Sequence, residues 1–107
     1  LNLKVWPRFM FGGKMIIDEL AMQLKKDCGA DIYDYKSTWI KCYLNGNIDV
    51  YVMQAVDAKN FFITLTNVDD DAKTIELDYA FGDGCIEKKK AKSLVKCIKA
   101  GIQCVKN

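Results

Sequence analysis

Histidine is missing from the 107 residues, arginine occurs once as Arg8, and proline once as Pro7. Without imidazole, Ser-His nucleophilic catalysis and His-ligated hydrolytic metal sites are excluded. A single guanidinium is a poor supply for bidentate reading of guanine edges. No apolar run approaches the roughly 18 residues of a membrane-spanning helix, and no apolar block follows a basic start in the manner of a signal peptide. The first residue is Leu1 rather than Met, so a processed chain or a domain cut from a longer protein is expected.

What remains is ordinary globular material, 50% hydrophobic and 28% charged with seven Gly, which excludes a disordered, collagenous or low-complexity chain. The length suits a single domain over residues 1–107 with one core. Composition by itself points to no activity.

The small net charge of +2 hides a segregation. Residues 87–107 hold seven Lys against Glu87, a local net of +6, while residues 1–86 hold nine basic and thirteen acidic groups, a net of −4. A segregated basic tail creates a local positive field that the total does not reveal.

Five Cys, at 28, 42, 85, 97 and 104, are an odd number with no C-x-x-C spacing. A disulfide framework would leave one thiol over, and a zinc site would need four scattered thiolates. The reading is of reduced thiols acting as small hydrophobes in a cytoplasmic protein, with Cys28 and Cys42 buried.

Residues 2–6 alternate in strand fashion up to Pro7, and Phe9-Met10-Phe11 reads as an entry into the core before Gly12-Gly13. Over 14–28, Ile17, Leu20, Ala21, Leu24 and Cys28 recur at helical spacing beside Ile16, with Lys14, Asp18, Gln23, Lys25 and Lys26 elsewhere on the wheel; Gly29 closes the helix. The period then changes to two. Extended segments are expected at 31–36, 38–44, 47–56, 61–66 and 74–81, with Ile40, Cys42 and Leu44, then Ile48, Val50 and Val52, then Phe61, Ile63 and Leu65, and finally Ile75, Leu77, Tyr79 and Phe81 facing inward. Asn45-Gly46 is a hairpin signal, since a type I′ turn needs positive φ at both central residues.

Residues 86–105 form a second helix with the seam Ala91, Leu94, Val95, Ile98, Gly101, Ile102 and Val105. The fold class is therefore α+β: a curled antiparallel sheet of five to six strands with two helices packed on one face.

Candidate chemistry is sparse. Asp69-Asp70-Asp71 lacks the spaced ligands and terminal Glu of a calcium loop and reads as a solvated turn. Gly82-Asp83-Gly84 before a helix has the shape of an anion cradle but not the Lys-Ser/Thr of a phosphate loop, so it reads as a strand-to-helix turn. The lysine arc on the last helix carries more. A purely solvated helix commonly mixes signs to gain i,i+4 pairs, whereas here acidic partners are nearly absent. Lys88, Lys89, Lys92, Lys96 and Lys99 are the candidate anionic-surface site, each Lys contributing on the order of 1 kcal/mol near an anionic bilayer.

The segment order resembles the kinase-associated C-terminal domain of checkpoint, AMP-activated, calcineurin-B-like-interacting and microtubule-affinity-regulating kinases. Three stretches carry the likeness: Leu3-Lys4-Val5-Trp6 with the helix start at 15–20, the hairpin of 48–57 with 61–65, and Gly82-Asp83-Gly84 with Glu87 before the last helix. The chain departs by an extra strand at 74–81 and a longer terminal helix. A polo-box domain, the second choice, accommodates that strand but leaves the helix at 14–28 without a counterpart.

The resemblance implies a non-catalytic regulatory module without cofactor or small-molecule substrate. Its partners would be acidic phospholipid at the inner membrane face, the kinase domain, or a partner subunit. The alternative is a stand-alone inhibitor or immunity-type protein acting through its acidic sheet side, with nucleic-acid binding in third place.

Overall fold

The computed structural model describes residues 16–56, 59–82 and 84–107. The strand expected at 2–6, the Phe9-Met10-Phe11 entry and the first residues of the first helix lie outside the described residues. So does Asp83 of the expected glycine-rich turn.

Helix α1 (Ile16–Cys28) is followed by strands β1 (Asp31–Lys36), β2 (Trp39–Leu44), β3 (Ile48–Gln54), β4 (Asn60–Asn67) and β5 (Asp70–Ala80), and the chain ends in helix α2 (Glu87–Val105). The strands form one open antiparallel sheet in the order β1-β2-β3-β4-β5. An uninterrupted meander follows from short connections, because antiparallel neighbours need only a turn between them. This is the α+β architecture expected, with five strands among the described residues.

Strand alternation sorts the side chains as the period-two reading requires. Ile40, Cys42, Leu44, Ile48, Val50 and Val52 are buried, as are Phe61, Ile63 and Leu65. Ile75, Leu77, Tyr79 and Phe81 pack against the same core while half-exposed, because β5 is an edge strand. The expected α2 seam is buried throughout, from Ala91 to Val105. α1 lies over β1 and β2, α2 over β4 and β5, and the two helices pack against each other above the middle of the sheet.

Three local features hold this arrangement. Gly29 takes the left-handed conformation (φ 61°), and its N–H donates to the Lys25 carbonyl at 3.2 Å, ending α1 as the sequence indicated. Asn45 (φ 55°) and Gly46 (φ 79°) both take positive φ, but Leu44 pairs with Ile48, so the loop has three residues and includes Asn47. Gly101 brings α2 close to the sheet: a Cβ there would overlap Leu65 Cδ1 and stand 3.2 Å from Ile75 and 3.3 Å from Leu77.

Three expectations are corrected. Asp18, set apart from the apolar stripe of α1 on its wheel, is fully buried and accepts a hydrogen bond from Tyr35 Oη of β1 at 3.3 Å. Cys28 is half-buried rather than buried, because it is the last helical residue and the core ends there. The turn in the acidic run is shorter than expected, since Asp70 already pairs with Asn67 and the strand begins four residues early.

Candidate functional site: a lysine-lined groove between the helices

The α2 sequence Glu-Lys-Lys-Lys-Ala-Lys at 87–92 opens a helix whose apolar seam is spoken for by the sheet. Rotation at 100° per residue then leaves the lysines to solvent. Lys88, Lys89, Lys92, Lys96 and Lys99 are all exposed on α2, so the structure assembles the expected arc on one outward surface. No ion pair with a described residue holds any of these five. Lys90 departs from the arc: it is half-buried, with Nζ 5.6 Å above the Phe81 ring.

The position of the run along α2 is unfavourable for the helix itself. The N-terminal end of a helix carries the positive pole of the backbone dipole, and cations there are repelled. Here Ile86 at the N-cap offers no side-chain hydrogen bond and three consecutive lysines follow Glu87, the only acidic residue of the first turn. In α1 the signs are conventional, with Asp18 and Glu19 in the first turn and Lys25 and Lys26 in the last.

Packing of the helices brings these two sets of lysines together. A cavity of about 830 Å³ between α1 and α2 is lined by Lys25 and Lys26 from one side and Lys88 and Lys92 from the other, with Met22 and Gln23 along it. Gln23 ties the walls, Nε2 donating to the Lys88 carbonyl at 3.4 Å, while its Oε1 is buried without a partner. Glu19 and Asp27 also line the groove, leaving it net positive by two charges. Met22 adds an exposed apolar side chain at the rim (44% accessible).

Sequence reasoning found the α2 lysines and missed Lys25 and Lys26. Their signal was faint: two basic residues in a last helical turn are usual, and nothing local says that they will meet Lys88. Lys96 and Lys99 lie further along α2, outside the groove but on the same exposed side; Lys99 lines a smaller cavity of about 340 Å³ with Cys28 and Asn45.

Comparison with family models, curated proteins and solved structures finds no match to this chain.

The remaining candidates gather no chemistry. The acidic run is consumed locally: Asp69 accepts from Asn47 Nδ2 at 3.3 Å, and Asp70 Oδ1 accepts from the Ala72 N–H at 3.3 Å. Among the described residues no group of three or more Cys, Asp or Glu is placed to hold a metal ion. The five thiols are free, and burial pushes the Cys42 thiol up to about 12, with the Asp49 charge adding to it. Burial raises Cys97 and Cys28 as well, Lys99 opposing the shift at Cys28. At Cys28, Cys42 and Cys97 burial thus favours the thiol over the nucleophilic thiolate.

Proposed function

We propose that this chain is a non-catalytic binding domain that docks on anionic phospholipid through the helix layer. We place it with the regulatory modules at the C-terminal ends of Ser/Thr protein kinases, peripheral to the inner membrane face, with the kinase domain or a partner subunit as its protein contact. The observation that carries the reading is the convergence of Lys25 and Lys26 with Lys88 and Lys92 on one groove, continued along α2 by Lys89, Lys96 and Lys99.

Two physical points support it. Lysines at the positive pole of α2 cost the helix stability, and a cost kept in a small domain calls for a role outside the fold. A multivalent cationic surface gains about 1 kcal/mol per lysine near an anionic bilayer, so six or seven suffice for reversible, salt-sensitive attachment. Lysine point charges suit a fluid surface of headgroups better than the planar forks of arginine would.

The test is sedimentation with phosphatidylserine vesicles at low salt. Lys88→Glu with Lys92→Glu should abolish it, and Lys25→Glu with Lys26→Glu should weaken it to a similar degree. Binding of the wild type should fade between 0.1 M and 1 M salt, as the screening length drops from about 10 Å to about 3 Å. Indifference of the wild type to anionic vesicles would overturn the proposal. Loss by the α2 pair with no effect of the α1 pair would restrict the site to α2.

A further inference from the structure

Among the described residues the second face of the sheet bears no helix, and the strand registers arrange it in rows. One row runs Asp31, Tyr43, Asp49, Thr66 and Thr74 across the five strands; the next runs Asp34, Lys41, Tyr51, Thr64 and Glu76; the third runs Lys36, Trp39, Met53, Phe62 and Asp78. A solvated sheet face is ordinarily polar. This one carries Tyr33 (46% accessible), Tyr43 (37%), Met53 (39%) and Phe62 (39%), half of the large apolar side chains exposed among the described residues.

The aromatic groups are ordered rather than scattered. Tyr33 swings out of the β1 bulge to stack on Tyr43, with ring centroids 4.7 Å apart and planes 27° apart, and its hydroxyl donates to Asp49 Oδ1 at 2.7 Å. Partial burial and the hydrogen bond to Asp49 raise the Tyr33 pKa, so the phenol keeps its proton and the pair its geometry. Trp39 meets Tyr51 edge to face at 6.3 Å, and Lys41 Nζ rests 5.3 Å and 5.2 Å from the two ring centroids. Between Tyr33, Asp49, Tyr51, Thr64 and Thr66 lies a cup of about 290 Å³, with Lys41 at its side.

The charge of this face is opposite to that of the helix layer. Five carboxylates in the three rows stand against Lys36 and Lys41, a net of −3. Rings flanked by carboxylates recognise one side chain better than any other: the arginine guanidinium, which stacks on an aromatic face and donates through its edge to a carboxylate. Lys41 shows the cation preference of the rings within the molecule, since an ammonium already lies against both Trp39 and Tyr51.

We infer that the open sheet face docks an arginine-bearing segment of a partner protein. The domain then has two interfaces of opposite sign, helices toward an anionic surface and sheet toward a basic polypeptide. A negative, aromatic face excludes nucleic acid as occupant, because phosphates would meet five carboxylates.

Fluorescence anisotropy of the full chain with a labelled nona-arginine peptide tests this, using nona-lysine as the equal-charge control. The arginine peptide should bind at low salt at least about fivefold tighter than the lysine peptide. Asp49→Asn with Tyr43→Ala should lose about tenfold or more, and Asp34→Lys with Asp78→Lys, both at exposed positions, should do the same without touching the rings. Lys41→Gln should tighten binding by removing the like charge at the cup. Lys88→Glu with Lys92→Glu, on the other layer, should not weaken it. Equal binding of the two peptides, or insensitivity to both sheet-face variants, would overturn the inference. So would sedimentation velocity showing a self-associated species that the sheet-face variants dissolve, since a second copy would then hold the face.

Discussion

Asn67 is fully buried at the end of β4, and its amide is used on both sides. Nδ2 donates to the Val105 carbonyl at 2.9 Å and to Asn107 Oδ1 at 3.1 Å, while Oδ1 accepts the Asp69 N–H at 2.9 Å. One side chain thus satisfies an orphan carbonyl at the end of α2 and fixes the β4-β5 turn beneath it. Asn67→Ala should destabilise by about 1–3 kcal/mol, the cost of leaving buried partners unmade, read as a lower urea midpoint at unchanged slope. Cys42 gives a pH signature. Its folded thiol holds a proton to about 12 against an ordinary 9.0, so between those values the unfolded chain binds fewer protons and stability falls as pH rises. The loss between pH 8 and pH 10.5 should be smaller in Cys42→Ala. Alkylation of the native chain should reach exposed Cys104 first and Cys42 only on unfolding.

At the scale of elements, α2 is set by two opposing demands. Its seam must lie close to the sheet, and Gly101 is the point of closest approach. Gly101→Ala gains about 0.8–1.0 kcal/mol in helix propensity but must displace the fully buried Leu65, and overpacking costs typically 1–3 kcal/mol. The net should be a loss of about 1 kcal/mol, with Gly101→Val worse, both measurable by thermal denaturation. The other end of the helix has the reverse character. Lys88→Glu and Lys89→Glu remove cations from the positive pole and should each stabilise the fold by about 0.3–1 kcal/mol while each weakening vesicle binding. A variant that gains melting temperature and loses attachment separates a binding lysine from a structural one.

The described residues make a bipolar domain: a lysine-bearing helix layer and an acidic, aromatic sheet face lie on opposite sides of one core. A charged membrane would therefore orient the domain as well as attract it. Lysine acetylation footprinting by mass spectrometry should show Lys25, Lys26, Lys88 and Lys92 protected in the presence of anionic vesicles. Lys36 and Lys41, across the sheet, should label at their free-protein rates.

Hydrophobic period decided much of this protein without reference to anything distant. Each strand's inward set and the α2 seam were legible because burial demands apolar residues at spacings of two or 3.6, whatever the partner. Gly29 and Asn45-Gly46 were legible because only a few residues take positive φ. The lysine arc was legible because it shares the wheel of that seam. Tertiary structure alone decided the rest. Asp18 is buried where Tyr35 of β1 bonds to it, and Asn67 is buried where the end of α2 returns to it. Lys25 and Lys26 join Lys88 and Lys92 only through the packing of two helices separated by the entire sheet. The rows of the open face exist only through register, which pairs residues by position in the meander. Local spacing says which side of an element a residue takes; which residue meets it there is set by how the elements pack.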